Sequence, residues 1–171
     1  MSEEEPQSPY AELGIPGLLR GARRAYANVV RAALAEAGFD DMPRNGAYVL
    51  ARVYGDSTAL VGLAKGLGIS KQAVSQLIDT MVMRGYLDRT PDPEDRRRML
   101  LTLTARGEAA AIAGWRAATA ADDELERRVK PAGVAALRHG LIALCEMADE
   151  SDEGQAGTEP VGAPGRHSHD E

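Results

Sequence analysis

The most constraining feature of the sequence is the stretch from Leu63 to Arg84, which predicts two short helices joined by a tight turn. Gly68 suits the left-handed backbone conformation that a sharp turn between helices requires. Ser70 can accept a hydrogen bond from an unpaired amide in the first turn of the next helix. That helix is predicted from Lys71 to Arg84, and Gly85 is expected to end it.

The second of these helices has two chemically different faces. Its inward positions are apolar: Val74, Leu77, Ile78, Met81 and Val82. Its outward positions are polar: Lys71, Gln72, Ser75, Gln76 and Asp79. The major groove of DNA is about 12 Å wide and admits a helix whose exposed side chains reach the base edges. Taken alone, this face fits an ordinary solvated helix as well as a helix that recognises DNA; the turn before it and the charged hairpin after it favour DNA.

A charged hairpin follows the two helices. Residues 86–89 and 99–103 are rich in strand-forming types, and the polar segment 90–98 between them contains turn-forming prolines. The segment ends in Arg96, Arg97 and Arg98, which suit phosphates or the negative potential of a narrow minor groove. Asp95 is expected to orient an arginine by charge-assisted hydrogen bonds rather than to contact DNA itself. A charged hairpin tip that only aids solubility is the alternative.

Helices are predicted on both sides of this module. One runs over residues 15–37, with Pro16 in its first turn and Gly38 just past its end. Another covers 43–54, with its inward face formed by Ala47, Leu50, Ala51 and Tyr54. Thr104 is expected to cap a long helix over 105–129, and Pro131 to break it and open a last helix. The apolar stripe of that last helix consists of Val134, Leu137, Leu141, Leu144 and Ala148.

These elements predict a mainly α chain with a winged helix-turn-helix and a two-stranded β-wing. We expect a flexible arm at 1–14, a helical dimerisation region formed by 15–42 and 105–150, and a DNA-binding domain at 43–104. Residues 151–171 are rich in glycine, proline and acids, and a disordered acidic tail is expected there.

The charge distribution is compatible with a nucleic-acid partner although the net charge of the chain is −6. The segment from Asp149 onward accounts for all of that charge, with seven acids against Arg166. Residues 60–106 hold eight basic and five acidic residues, a net of +3. A locally basic stretch therefore coincides with the predicted DNA-binding module.

Composition excludes several other classes of protein. No apolar run approaches the 18–20 residues, roughly, that a membrane span needs, and the acidic N-terminus differs from a secretory signal. The single cysteine, Cys145, excludes an intramolecular disulfide and multi-cysteine metal sites, and no metal or other cofactor is expected. Basic residues are mainly arginine, and alanine and glycine are abundant, as is typical of a GC-rich bacterial genome. A cytoplasmic protein is expected.

Taken together, the motifs resemble those of the MarR family of winged-helix regulators. The resemblance rests on Leu63-Ala64-x-x-Leu67-Gly68-Ile69-Ser70, Gly85-Tyr86-Leu87-x-Arg89, Asp95-Arg96-Arg97 and Leu101-Thr102-Leu103-Thr104-x-x-Gly107, in this order and spacing. It implies a homodimer that binds double-stranded DNA, with the arginine of the wing motif, Arg97, entering the minor groove. DNA contacts are then expected from Ser70, Lys71, Gln72, Ser75, Gln76, Arg89, Arg96, Arg97 and Arg98.

The resemblance also implies a small aromatic or phenolic effector that relieves repression. Candidate residues for its pocket are Tyr26, Phe39, Met42, Tyr48, Tyr54 and Trp115. For each of these side chains, plain core packing is the alternative.

Two other classes of function are weighed against DNA binding. An enzyme is not expected, because the chain has no glycine-rich phosphate loop, no two-histidine helix motif and no Gly-x-Ser-x-Gly elbow. A winged helix that binds only other proteins is the main alternative. The exposed Lys/Gln/Ser face and the arginine-rich wing favour DNA.

Overall fold

The elements of the chain were established in a computed structural model, which describes residues 8–55, 62–91 and 99–156. Within these ranges the chain forms five helices and one two-stranded antiparallel sheet. In chain order the elements are α1 (Ile15–Glu36), α2 (Gly46–Gly55), α3 (Leu63–Leu67), α4 (Lys71–Met83), β1 (Leu87–Pro91), β2 (Met99–Leu103) and α5 (Ala105–Ala156). The prediction of a mainly α chain with a two-stranded sheet is confirmed.

Two compact units divide the chain inside α5, the first ending at Asp123 and the second beginning at Glu124. The first unit holds α1 to α4, the sheet and the beginning of α5, and it contains the hydrophobic core. The second unit consists of the remainder of the chain. Residues 1–7 of the predicted arm and residues 157–171 of the predicted tail lie outside the described residues.

Helix α2 begins at Gly46, three residues later than predicted. Pro43 to Gly46 form a turn in which the Gly46 amide donates to the Pro43 carbonyl at 2.8 Å. Asn45 within this turn has a φ of +68°, and a left-handed residue cannot belong to a right-handed helix. The helix can therefore start only after Asn45.

The buried face of α2 is displaced by one position from the predicted face. Val49, Leu50 and Val53 are buried, whereas Ala51 and Tyr54 are exposed. The predicted set and the observed set of buried residues both recur at the three- and four-residue steps of a helix. Residues 47–54 are apolar at every position except Arg52. The sequence pattern alone therefore could not decide which side of this helix packs inward.

The core of the first unit lies beneath the helix-turn-helix. Its largest fully buried side chains come from helices α2, α3 and α4 and from the two strands: Leu50, Leu63, Met81, Leu87 and Leu101. Tyr86, which links α4 to β1, is also fully buried. Val74, Ile78 and Met81 form the buried face of α4, as predicted, and Leu77 and Val82 pack partly against the same core.

The sheet connects α4 to α5. In its register Leu87 pairs with Leu103, Arg89 with Leu101 and Pro91 with Met99. Leu87 and Leu101 are buried, whereas Arg89 is exposed. The strands thus extend from the core towards the tip of the wing, residues 92–98, which lies outside the described residues.

The start of α5 packs directly against the backbone that follows α4. The Thr104 hydroxyl accepts from the Gly107 amide at 3.0 Å and donates to the Gly85 carbonyl at 2.5 Å, so the predicted cap is confirmed. A Cβ atom on Gly107 would lie 1.9 Å from the Tyr86 carbonyl oxygen. Only glycine allows this close approach, and the first turn of α5 is thereby fixed against Tyr86.

In the second unit, α5 is interrupted where Pro131 predicts a break. Lys130 has φ +66° and ψ +161°, so two helical segments meet there. Helical backbone then continues to Ala156, so the first six residues of the predicted tail, 151–156, are helical. Between Lys130 and Ala156 the chain contains no proline other than Pro131 to stop the helix. No helix of the described residues is long and apolar enough to cross a membrane.

The contact at Gly107 predicts opposite outcomes for two glycine substitutions in α5. Gly107→Ala should lower the free energy of unfolding by about 1–3 kcal/mol, because the new methyl group collides with backbone that cannot move away freely. Gly114→Ala, in the same helix, places its Cβ 3.5 Å from Val30 Cγ1, an ordinary contact. This control should be neutral or stabilising by up to about 1 kcal/mol. Urea unfolding at one chain concentration measures both, and equal stabilities of the two variants would contradict the packing at Gly107.

Candidate nucleic-acid interface

The turn between α3 and α4 has the predicted geometry. Gly68 has a φ of +64°, and the Ile69 amide donates to the Ala64 carbonyl at 3.1 Å across the turn. The Ser70 hydroxyl accepts from the Ala73 amide at 3.1 Å and caps α4. These local contacts fix where α4 starts and in which direction its first turn points.

The exposed face of α4 carries the side chains predicted to meet DNA. Lys71, Gln72, Ser75 and Gln76 are exposed, while the opposite face is buried. The Ser75 hydroxyl donates to the Lys71 carbonyl at 3.2 Å, so its oxygen remains available as an acceptor. The helix has 13 residues and is about 20 Å long. A rigid, polar, solvent-facing helix of this kind can present hydrogen-bonding groups to the base edges of a major groove.

The predicted contact Arg89 is attached to this helix by an ion pair. Its Nη2 donates to Asp79 Oδ1 at 2.5 Å, with side-chain exposures of 45% for Arg89 and 59% for Asp79. The pair joins β1 to α4 on the solvent side. The sequence alone did not indicate this partner for Arg89.

The four wing residues Asp95, Arg96, Arg97 and Arg98 lie outside the described residues. Their roles in orienting the wing and contacting DNA stay predictions. The strands that lead to them are paired as far as Pro91 and Met99.

Beyond the C-terminal end of α4, Tyr86 is the centre of a polar cluster. Its ring is buried, and its hydroxyl donates to an Asp41 carboxylate oxygen. The guanidinium of Arg106 donates to the same carboxylate oxygen at 2.7 Å and to the Tyr86 hydroxyl at 3.0 Å. Arg84, the C-cap of α4, donates to the Asp41 main-chain carbonyl. We call Asp41, Arg84, Tyr86 and Arg106 the Asp41 cluster.

The cluster also changes the protonation behaviour of its members. The hydrogen bond from Tyr86, followed by the charges of Arg106 and Arg84, holds the pKa of Asp41 below its usual range despite some desolvation. Burial, and then the hydrogen bond to Asp41, raise the pKa of Tyr86. The ionised Asp41 carboxylate and the neutral Tyr86 phenol are therefore the forms that the folded chain favours.

Arg106 adds stacking to these hydrogen bonds. Its guanidinium carbon lies 4.6 Å from the centroid of the Tyr86 ring and 5.9 Å from that of Phe39. The two rings meet edge to face with centroids 6.2 Å apart. The loop after α1, the end of α4 and the start of α5 are thus held at one point.

The six residues predicted for an effector pocket do not share one site. Phe39 and Met42 line a cleft of about 420 Å³ between the end of α1 and the loop before α2, together with Val30, Arg31, Leu34 and Arg44. Tyr48 lies against Gly66, whose lack of a side chain leaves room for the Tyr48 hydroxyl. Tyr54 and Trp115 are 60% and 68% exposed. The one-position displacement of α2 explains the exposure of Tyr54.

The sixth candidate, Tyr26, has a structural contact instead. Its hydroxyl donates to Asp122 Oδ1 at 2.5 Å, which joins α1 to α5 within the first unit. This hydrogen bond is the main cause that raises the pKa of Tyr26 to about 12. Tyr26 does not line the cleft that contains Phe39 and Met42.

Asp41 and Arg106 are the principal residues that sequence reasoning did not identify. The available signal was Tyr86: a tyrosine at a position that must be buried needs a partner for its hydroxyl. The identity of the partner of the Tyr86 hydroxyl depends on the turn at Asn45 and on the close packing of Gly107 against the Tyr86 carbonyl. No local sequence pattern predicts either feature.

Residues 41–98 match the model of the MarR family. A curated relative, the multiple antibiotic resistance protein MarR of Escherichia coli K12, is 37% identical over 49 residues. That match covers 29% of this chain and 34% of the relative, so it spans about a third of that protein.

Comparison with solved structures extends the likeness to most of the fold. A MarR transcriptional regulator from Methanosarcina mazei Go1 gives a TM-score of 0.66 at 19% identity, over 80% of this chain and 96% of that one. A MarR-family regulator from Rhodococcus sp. RHA1 gives 0.61 at 21% identity, over 81% and 96%. At this identity the likeness establishes the fold.

Two serine substitutions distinguish the cap of α4 from its exposed face. Ser70→Ala should lower the free energy of unfolding by about 1 kcal/mol, because the Ala73 amide loses its acceptor. Ser75→Ala removes only a bond to a carbonyl already engaged in the helix, so its stability should change by less than about 0.5 kcal/mol. Thermal and urea unfolding measure both. A Ser70 variant as stable as wild type would show that the cap contributes nothing.

The Asp41 cluster predicts a specific dependence of stability on acid pH. Because the pKa of Asp41 is lower in the folded chain than in the unfolded one, its contribution is complete above about pH 4. It is lost as the pH falls through the lowered pKa. Asp41→Asn should therefore be less stable than wild type near neutral pH, and the difference should shrink below about pH 4. Urea midpoints measured from about pH 7 down to about pH 2 test this, and a pH-independent difference would contradict it.

Proposed function

We propose that the chain is a sequence-specific DNA-binding regulator of transcription, because residues 41–98 match the MarR family and the fold is similar to that of MarR-family structures. It binds a pseudo-palindromic operator as a homodimer and acts as a ligand-responsive repressor in the bacterial cytoplasm. The observation that carries this proposal is the exposed face of α4, where Lys71, Gln72, Ser75 and Gln76 stand on a helix fixed at both ends.

In this proposal α4 enters the major groove. Gln72 and Gln76 each offer an amide that can donate and accept at one base, and a good bidentate contact of this kind discriminates by roughly 1–3 kcal/mol. Lys71 and Ser70 lie at the first turn, nearest the phosphates. Arg97 contributes through phosphate charge and the minor groove, flanked by Arg96 and Arg98, and Asp95 orients it.

Dimerisation is proposed because each unit exposes apolar side chains on a helix. In the first unit α1 leaves Ile15, Leu18 and Val29 exposed. In the second, Leu137, Leu141 and Leu144 are exposed at three- and four-residue steps. Contiguous exposed apolar side chains usually mark interfaces, and a second copy of the chain is the proposed partner.

The cleft that contains Phe39 and Met42 is the proposed effector site. Its apolar lining suits an aromatic ring, and Arg31 and Arg44, which line it together with Asp40, suit a phenolate or carboxylate. The same loop carries Asp41, so a ligand here is adjacent to the Asp41 cluster. Tyr26, Tyr48, Tyr54 and Trp115 are no longer part of the proposed site.

A winged helix that binds only proteins is the competing function. The two differ in their response to salt, because neutralised phosphates release counterions and make DNA affinity fall steeply with ionic strength. Titration of a labelled random duplex at several salt concentrations separates them. Binding that weakens log-linearly with salt supports DNA recognition, whereas absence of binding at low salt favours the protein-only function.

Substitutions in α4 and in the wing should affect DNA binding differently. Gln76→Ala, or Gln72→Ala, should relax preference at a few operator positions and leave the salt dependence nearly intact, because base contacts are lost and phosphate contacts kept. Arg97→Ala should weaken binding to all sequences and lower the salt slope by about one unit per subunit. Binding isotherms on the preferred and on random duplexes measure both effects.

Each variant is first checked for unaltered thermal stability and sedimentation. Gln76 is not expected to contact a phosphate, and Arg97 is not expected to discriminate between bases. Unchanged affinity of Arg97→Ala for both duplexes would exclude the wing as a DNA contact, and an unchanged sequence preference of both glutamine variants would exclude the assigned roles in α4.

A further inference from the structure

The ion pair between Asp79 and Arg89 gives the DNA-facing side an unexpected feature. Asp79 is the only acidic residue of α4, and it follows Gln76 by three positions and Ser75 by four. At this spacing it lies on the same helix face as the predicted base contacts. An isolated carboxylate here would repel the phosphates on both sides of a groove.

The pair changes the chemistry of this position. Arg89 Nη2 lies 2.5 Å from Asp79 Oδ1, so the negative charge is balanced locally. An arginine has five N–H donors in a planar fork, and among the described residues only Asp79 accepts a side-chain hydrogen bond from Arg89, so other edges of the guanidinium can donate elsewhere. The Arg89 side chain is 45% exposed, so part of it is accessible to solvent beside α4.

We propose that Asp79 is a positioning residue that holds the Arg89 guanidinium against α4, aimed at the DNA phosphate beside the recognition helix. This inference rests on the proposed function and names a determinant within the same interface. Without Asp79, Arg89 is a long flexible side chain on an exposed strand, and ordering it on binding costs side-chain entropy. With Asp79 present, the Arg89 side chain is already ordered before the protein meets DNA, so binding does not carry that entropy cost.

Net charge and positioning predict opposite signs for one substitution. If Asp79 acts only as a charge, Asp79→Asn removes a repulsive group and tightens binding. If it positions Arg89, the same substitution weakens binding although the protein becomes more positive. An exposed ion pair contributes little to stability, so a change in DNA affinity would not reflect unfolding.

Asp88→Asn is the matched control. Asp88 is exposed on β1, next to Arg89 in the sequence, and its neutralisation changes the net charge by the same amount. Electrostatics alone then predicts tighter binding for Asp88→Asn. The difference in sign between Asp79→Asn and Asp88→Asn isolates the positioning effect.

The experiment measures dissociation constants on a duplex that the wild-type chain selects from a random library, at several salt concentrations. We expect Asp79→Asn to weaken binding about tenfold for a dimer with two such sites, and Asp88→Asn to tighten it slightly. Arg89→Gln should weaken binding by a similar factor. The double variant Asp79→Asn/Arg89→Gln should be no weaker than Arg89→Gln alone, since both changes remove one contact.

The salt slope provides a readout that a purely structural role would not move. Both Asp79→Asn and Arg89→Gln should lower it by about one unit per subunit, because a phosphate contact is lost. Asp79→Asn that binds as tightly as wild type, or that adds independently to Arg89→Gln, would overturn the inference while wild-type binding upholds the proposed function. A wild-type chain that selects no duplex would overturn both.

Discussion

The burial of Tyr86 with its hydroxyl on Asp41 is the interaction on which the rest of the first unit depends. Gly85 ends α4 in a left-handed conformation, so the Tyr86 amide bonds back to the Met81 carbonyl and the ring turns into the core. A buried phenol requires a partner, and Asp41 supplies it together with Arg106. Because Gly107 has no side chain, α5 can begin against the Tyr86 carbonyl.

This arrangement explains how a helix as short as α4 is held in a defined position, as its proposed role in DNA recognition requires. Isolated helices of 13 residues are marginal in water. Here α4 is capped by Ser70 at its start, buried along one face, and held at its end by Arg84 on the Asp41 carbonyl. Among the described residues, Asp79 is the one exposed residue of this helix with a side-chain hydrogen bond to another element, the strand that carries Arg89. The rigidity of the helix and the polarity of its surface therefore come from different residues.

The sequence predicted those features that depend on neighbouring residues: the turn at Gly68, the Ser70 and Thr104 caps, the end of α4 at Gly85 and the break before Pro131. It did not predict features that depend on distant ones. The buried side of α2 was misplaced because nearly all its positions are apolar, and six aromatic and methionine candidates were grouped although only Phe39 and Met42 meet. Asp41, Arg106 and the partner of Arg89 became visible only when segments remote in sequence were brought together.

In the proposed complex, two copies of α4 present the same polar face to a symmetric operator. Sequencing the duplexes that the wild-type chain retains from a random library shows whether the selected sites have this symmetry. We expect enrichment of an inverted repeat whose half-sites are centred about one helical turn, 10–10.5 base pairs, apart, since a dimer places its two recognition helices on one side of the DNA. A retained pool without a shared motif, or with a single unrepeated half-site, would contradict it.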